Sequence, residues 1–226
     1  MSEELQAIAD RIVAQANAGE QVEAFVSRDH ETDIRVYEGE VEHFVSAQSE
    51  GIGIRVIRGG RTGFAYAGTL DPSAIAEVLA EARDNVGFGT PDEWAGLAEP
   101  DGVEMVPQTL WNETLAGFAT ERKIALAKEL EQLTLGIDGR VRVDDSNYSD
   151  VAVETAVATN PGIPRAGREN GCSVRGSTPG PGPGEDPRGF GVYGRAGPHQ
   201  ARPLHTTPCG ARPRAPPRPA HTAGLL

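Results

Sequence analysis

The chain has 226 residues, with 21 Lys/Arg against 33 Asp/Glu and a formal charge of −12. No run approaches the ~18 apolar residues that a membrane-spanning helix requires. The acidic balance argues against unaided binding to nucleic acid, whose phosphates call for basic surface.

The charge is unevenly spread. Residues 1–160 hold 12 Lys/Arg and 30 Asp/Glu, whereas residues 161–226 hold nine Arg, no Lys and three acids, so a balance of −18 is followed by +6. The second segment also carries 13 of the 17 prolines and 13 of the 28 glycines. That load exceeds the ~25–30% of low-complexity chain, which cannot bury enough apolar surface to offset its conformational entropy. The expectation is one folded unit over 1–160, of a size that buries about 70% of its unfolded surface, then a disordered Gly/Pro/Arg-rich tail over 161–226. "MSEELQAIAD" is acidic and amphipathic, unlike a secretory signal. Cys172 and Cys209 outline no disulfide framework. A soluble, cytoplasmic chain is expected, with no membrane contact.

Residues 3–18 repeat Leu5, Ile8, Ala9, Ile12, Val13 and Ala16 at helical spacing, with Ser2 as cap, Glu3 and Glu4 in the first turn and Gly19 as terminator. The period then becomes alternating in "VEAFVS" (22–27), "DIRVYE" (33–38), "VEHFVSA" (41–47), "GIGIRVI" (51–57) and "TGFAYA" (62–67), which predicts strands. Turn signals fall at 38–40, 49–51 and Gly59-Gly60. The glycine pair can supply the two positive φ angles of a primed turn. Arg58 and Arg61 then point to solvent, and Ile54, Val56 and Phe64 serve one buried face. Connections this short allow only antiparallel neighbours, a meander. A phosphate-binding reading of "GIGIRVIRGG" fails because no helix follows the glycines.

"LDPSAIAEVLAEARDNVG" (70–87) predicts a helix, with Asp71 as cap, Pro72 at its first position, Ile75, Val78, Leu79 and Ala82 inward, and Gly87 as stop. A loop over 88–118 follows and holds both tryptophans; such length inside a domain points to a functional or partner-facing segment. A further helix is expected over 120–136, capped by Thr120 and stopped by Gly136, with Ile124, Leu126, Ala127, Leu130 and Leu133 inward. "RVRVDD" (140–145) and "DVAVETAVAT" (150–159) read as a last hairpin around Ser146–Ser149. The fold class is α+β: an antiparallel meander sheet with helices packed on one face.

The residue inventory offers no catalytic, cofactor-binding or metal-binding site. His30-Glu31 begins like a zinc HExxH or HExxxH, but four and five positions on stand Ile34 and Arg35, and the segment reads as strand rather than helix. His43 alternates with Val41 and Val45 and reads as a sheet histidine. Asp144 and Asp145 are adjacent on a strand and so point to opposite faces. Glu38, Glu40 and Glu42 surround a turn as a solvated rim, and Asp92-Glu93 is a further acid pair. No serine sits in a GxSxG elbow. Cys172 has no histidine nearby and reads as an inert thiol.

The turn at Val36–Glu42, "GIGIRVI", "GRTGFAY" and "LDPSAIAEVL" together resemble the N-terminal domain of the TldD/PmbA metallopeptidases. "TPDEWAGLAEP" is similar to the PmbA (TldE) branch, and "ERKIALAKELEQ" with "VRVDDSNYSDVAVETAVATN" extends the resemblance over about residues 5–160. The resemblance implies a mixed α/β domain of a cytoplasmic two-subunit enzyme that degrades or matures peptides and that older naming ties to modulation of DNA gyrase. It implies a TldD-like catalytic partner in a heterodimer, with zinc held by an HExxxH motif of that partner's C-terminal domain and none in this chain. Beyond Asn160, "GRENGCSV" and "GFGVYGRAG" still resemble family pieces, while the surrounding Arg/Pro/Gly/Ala sequence does not; it has the composition of GC-rich coding sequence read out of frame. The expectation is a fragment of a PmbA/TldE-like subunit, truncated or frameshifted and inactive alone. The alternative is a stand-alone protein-binding module using the 88–118 loop and the basic tail, whose Pro/Arg-rich sequence can adopt polyproline II.

Overall fold

The computed structural model describes residues 2–103, 106, 108–137, 139, 141–179 and 188–193. Helix α1 (Ser2–Val13) leads into strands β1 (Gln21–Tyr37), β2 (Glu40–Arg58) and β3 (Arg61–Ala67). Helix α2 (Pro72–Asn85), a 3-10 turn (Val86–Phe88), the short α3 (Glu113–Ala116) and α4 (Thr120–Leu135) follow, then β4 (Asp145–Thr159), β5 (Arg165–Pro179) and β6 (Arg188–Tyr193). The six strands form one antiparallel sheet in the order β3-β2-β1-β4-β5-β6. It consists of two three-stranded meanders joined through β1 and β4.

All the long helices lie on one face. Along β1 the even-numbered side chains point to them: Val22, Ala24 and Val26 join Leu5, Ile8, Ala9 and Ile12 of α1 and Val78, Leu79 and Ala82 of α2 in one core. Ile34 and Val36 join Ala127 and Leu130 of α4, Tyr148 of β4 and Val174 of β5 in a second. This parity is the period-two geometry of a strand.

The hairpin expected at Gly59-Gly60 is present, with Arg58 facing Arg61 in the ladder and φ of 59° and 70° at the two glycines. A second primed turn at Glu38-Gly39 (φ 49° and 78°) joins Tyr37 to Glu40. Glu131 of α4 pins it, its Oε2 accepting the Gly39 N–H at 2.7 Å.

Several expectations are corrected. The first helix stops at Val13 rather than residue 18. β1 and β2 run unbroken for 17 and 19 residues, so there is no turn at 49–51. Gly51 serves there instead as a close approach: a Cβ would stand 3.0 Å from the Ala67 carbonyl oxygen of β3. Phe64 lies on the face away from the helices, 54% exposed and stacked on Tyr66 at 6.1 Å, while Ala65 takes the buried position. Asp71 precedes α2 without a side-chain cap bond, Ala119 rather than Thr120 caps α4, and Leu133 is exposed.

The hairpin at Ser146–Ser149 does not exist. β4 runs straight through it, paired with β1 as far as Ser146 and with β5 as far as Asp145. Ser146 is fully buried and donates from Oγ to the Ala127 carbonyl at 2.8 Å, so a turn-like residue is satisfied within the packing. The sheet also continues beyond residue 160, where the composition changes: β5 and β6 contain the "GRENGCSV" and "GFGVY" pieces. Asn160 ties the end of β4 to the start of β1. Its Oδ1 accepts the Val22 N–H at 2.7 Å and its Nδ2 donates to the Glu20 carbonyl at 2.9 Å. Cys209 and the remainder of the tail lie outside the described residues.

Candidate functional site

Between the two cores the helical face of the sheet turns polar. The even positions of β1 left uncovered between Val26 and Thr32 are Arg28 and His30. Strand register sets Arg28 beside Glu50 of β2 on one side and Glu154 of β4 on the other, and Glu154 in turn beside Arg168 of β5. A row of alternating charge thus crosses four strands. Arg28 is drawn to one side of it, its Nε 3.2 Å from Glu50 and its Nη1 3.4 Å from Glu4 of α1. Arg168 is held elsewhere too, its guanidinium 2.8 Å from Glu113 and 4.6 Å from the centre of the Trp111 ring. Glu154, only 7% exposed, makes no ion pair with either neighbour among the described residues, and its Oε2 is buried with no hydrogen-bond partner.

Trp111 reaches this strip because the end of the long loop is clamped to β5. Asn170 accepts the Asn112 N–H at 2.8 Å, donates to the Asn112 carbonyl at 2.9 Å and sends its own N–H to the Leu110 carbonyl at 3.1 Å. Asn112 then caps α3, its Oδ1 accepting from Thr114 and Leu115. The Trp111 indole nitrogen is buried and, like Glu154 Oε2, has no partner. Arg28, His30, Gln48, Trp111, Ala152 and Glu154 line a cleft of ≈ 240 Å³.

A second polar cluster lies under α4 and is closed on itself. Lys123 Nζ donates to Asp150 Oδ2 at 2.6 Å and to Thr32 Oγ1 at 3.1 Å, and Tyr148 Oη donates to the same Asp150 oxygen at 2.7 Å. Burial, reinforced by Asp150, pushes the Tyr148 hydroxyl far above its ordinary range. Burial likewise raises the Cys172 thiol, again with the Asp150 charge adding. The hydroxyl and thiol therefore stay protonated near neutral pH. This arrangement ties α4 to the sheet rather than presenting a reactive group.

The residues weighed from the sequence do not converge. His30 lies on the helical face, its Nε2 3.2 Å from Ser46 Oγ, whereas His43 pairs with Arg35 and points to the opposite face. The described residues therefore do not fit a zinc ion at these histidines, and no three His, Cys, Asp or Glu side chains among them are grouped to hold a metal. Glu40 and Glu42 sit at the rim of the first turn, near Lys128 (3.6 Å) and Arg35 (3.4 Å). Asp145 accepts from Asn147 and Ser177. Asp92 accepts the Trp94 N–H, and its own N–H donates to the Gly60 carbonyl at 2.7 Å, tethering the loop to the β2–β3 turn. Cys172 sits in β5 beside Tyr148. Glu154, Trp111, Lys123 and Asp150 were not singled out. A usable signal existed for Glu154: in "AVETAVA" it takes the same strand phase as Ala152, Ala156 and Ala158, of which the last two are buried.

Residues 22–86 match the sequence model of the PmbA/TldA metallopeptidase domain 1. Among solved structures, the chain is similar to a proposed modulator of a DNA gyrase from Thermotoga maritima (TM-score 0.67, 18% identity, 83% of this chain and 42% of that one). It is also similar to TldE from Thermococcus kodakarensis (0.65, 18%, 84% and 42%). A proposed modulator of DNA gyrase from Bacteroides thetaiotaomicron gives 0.63, 18%, 84% and 43%. The chain spans less than half the length of these structures. No curated protein matches it. Among the described residues no helix is long and apolar enough to cross a membrane. Over residues 22–86 the chain is thus similar in sequence to the first domain of the PmbA/TldD metallopeptidases, and it shares the fold of the three structures above.

Proposed function

We propose that the chain is the N-terminal part of a PmbA/TldE-like subunit that works in the cytoplasm with a TldD-like catalytic subunit on peptide substrates. The zinc chemistry is supplied by that partner. The observation that carries the reading is the match of residues 22–86 to the family's first domain, and the fold shared with TldE over 84% of the chain supports it. The sequence contains no HExxxH. The face of the sheet away from the helices exposes Phe25, Phe64 and Tyr66, which suits a domain that docks rather than one that stands alone. In the same reading the Arg/Pro-rich sequence past β6 is an out-of-frame tail, testable by translating the downstream DNA in its other frames.

The test is co-expression with the TldD-like subunit of the same genome. The two should co-purify, and chelator-sensitive peptide hydrolysis should need both chains. Stoichiometric zinc and peptidase activity in this chain alone would overturn the proposal. A protein-binding module is the second reading, supported by Phe88, Trp94 and Val103, which the long loop and the turn leading into it hold open to solvent. Capture of a partner that depends on Trp94 in the absence of any TldD-like chain would favour it.

A further inference from the structure

The cleft between the two cores has two orphaned groups of opposite kind. Among the described residues, Glu154 Oε2 is an acceptor without a donor and Trp111 Nε1 a donor without an acceptor. Both are buried, and a buried polar group left unpaired is destabilising. Glu154 is the more telling because two arginines flank it in register and both are engaged elsewhere, Arg28 by Glu4 and Glu50 and Arg168 by Glu113 and the Trp111 ring. The two flanking cations are therefore taken.

From this geometry we infer that the cleft is a binding site for a small ligand bearing a primary ammonium with a hydrogen-bond acceptor close beside it. The ammonium meets Glu154 and the acceptor meets the indole N–H. An anion is disfavoured, since the strip's carboxylates (Glu4, Glu50, Glu113, Glu154) outnumber its arginines. At ≈ 240 Å³ the space falls below the ~300 Å³ at which drug-sized pockets begin, so the ligand is the size of one amino-acid residue. An α-ammonium with its adjacent carbonyl meets these requirements, whether it comes from a free amino acid or from the end of a peptide. The inference stands independently of which subunit supplies the zinc.

The chain has two tryptophans. Trp94 is 86% exposed and does not line the cleft, so a W94F chain reports on Trp111 by its fluorescence. Titration of W94F with alaninamide should change the emission saturably at millimolar concentration, and N-acetylalaninamide, which lacks the ammonium, should not. Alanine against alanylalaninamide distinguishes a free amino acid from a peptide end. In the same background E154Q should weaken binding at least about tenfold, the loss of a charge-assisted contact. The ligand-free E154Q chain should melt no lower than its parent, because an unpaired charge has been removed. Three results would overturn the inference: no saturable change up to about 10 mM, ten times a millimolar dissociation constant; equal binding of the acetylated probe; or a lower melting temperature for E154Q, which would mean that an arginine already pairs with Glu154. Should E154Q fail to fold, W111F followed by calorimetry takes its place, and undiminished alaninamide binding there would likewise refute the role of the indole N–H.

Discussion

Gly63 in β3 faces α2 at a close backbone approach. A Cβ placed there would overlap the Ala82 carbonyl oxygen and the Val86 nitrogen and stand 2.9 Å from the Asn85 carbonyl carbon. These are backbone atoms, so no rotamer change can relieve the clash; α2 must move. Overpacking a core costs about 1–3 kcal/mol, and with backbone on every side G63A belongs at the upper end. Working against it, replacing Gly by Ala in a strand recovers roughly 0.5–1 kcal/mol of chain entropy. Packing wins, and the net expectation is a loss of about 2 kcal/mol. For a domain of this size that is a melting temperature lower by roughly 4–8 °C. Urea unfolding followed by far-UV circular dichroism measures it. G87A is the control, since a Cβ at Gly87 meets nothing within 4 Å and φ is not positive there; it should lie within about ±0.5 kcal/mol of wild type. If G63A proves as stable as wild type, the seating of α2 on β3 described above is wrong.

Three other outcomes are expected. K123M removes the buried partner of Asp150 and should destabilise the chain by about 3–5 kcal/mol; a loss under 1 kcal/mol on urea unfolding would mean that the pair is solvated. Glu20 is buried: burial pushes its carboxyl up, but the Asn17 N–H and Arg83 outweigh that and hold it below the usual range. A folded value below the unfolded ~4.3 gives stability that is present at neutral pH and is lost as pH falls through the lower folded value. The stability difference between wild type and E20Q should therefore be constant above about pH 5 and shrink below pH 4, and a flat difference from pH 7 to 3 would contradict this. In a C209S chain, Cys172 should react with a thiol reagent at pH 8 at least about tenfold more slowly than when unfolded, since burial keeps it protonated; equal rates would show an open thiol.

The alternation in β1, β2 and β3 and the apolar repeats of α1, α2 and α4 were legible because each follows one strong period. What could not be read is where polar residues stop meaning turn. Residues 28–32 and 49–51 look like interruptions, yet they continue long strands, because partners distant in sequence satisfy them: Arg28 reaches Glu50, His30 reaches Ser46 and Thr32 reaches Lys123. "SNYS" at 146–149 misled for the same reason. The tail boundary followed a shift in composition, whereas β5 is fixed by pairing with β4, and Gly167, Gly171 and Gly176 are tolerated in it because the ladder depends on backbone groups. The loop that holds Trp111 was legible, but no local pattern shows that it carries Trp111 to β5 and Glu154 or that Arg28 and Arg168 turn away from Glu154.

Strand length explains why the cleft exists at all. At ~3.3 Å per residue, β1 spans about 56 Å, far longer than a helix about 10 Å wide can cover. The α1/α2 pair seals positions 22–26 and α4 seals positions 32–36, leaving Arg28 and His30 in the gap between them, at whose edge Glu4 of α1 reaches Arg28. A gap in a sheet face can be closed by apolar side chains or kept wet and charged. Here Glu154 sits between Ala152 and Ala156 on its strand face, where a valine would fit the period and cost nothing in desolvation. A carboxylate buried without a partner is destabilised by several kcal/mol. Its placement between two arginines held by other partners is what a third cation, the ammonium inferred above, would complete.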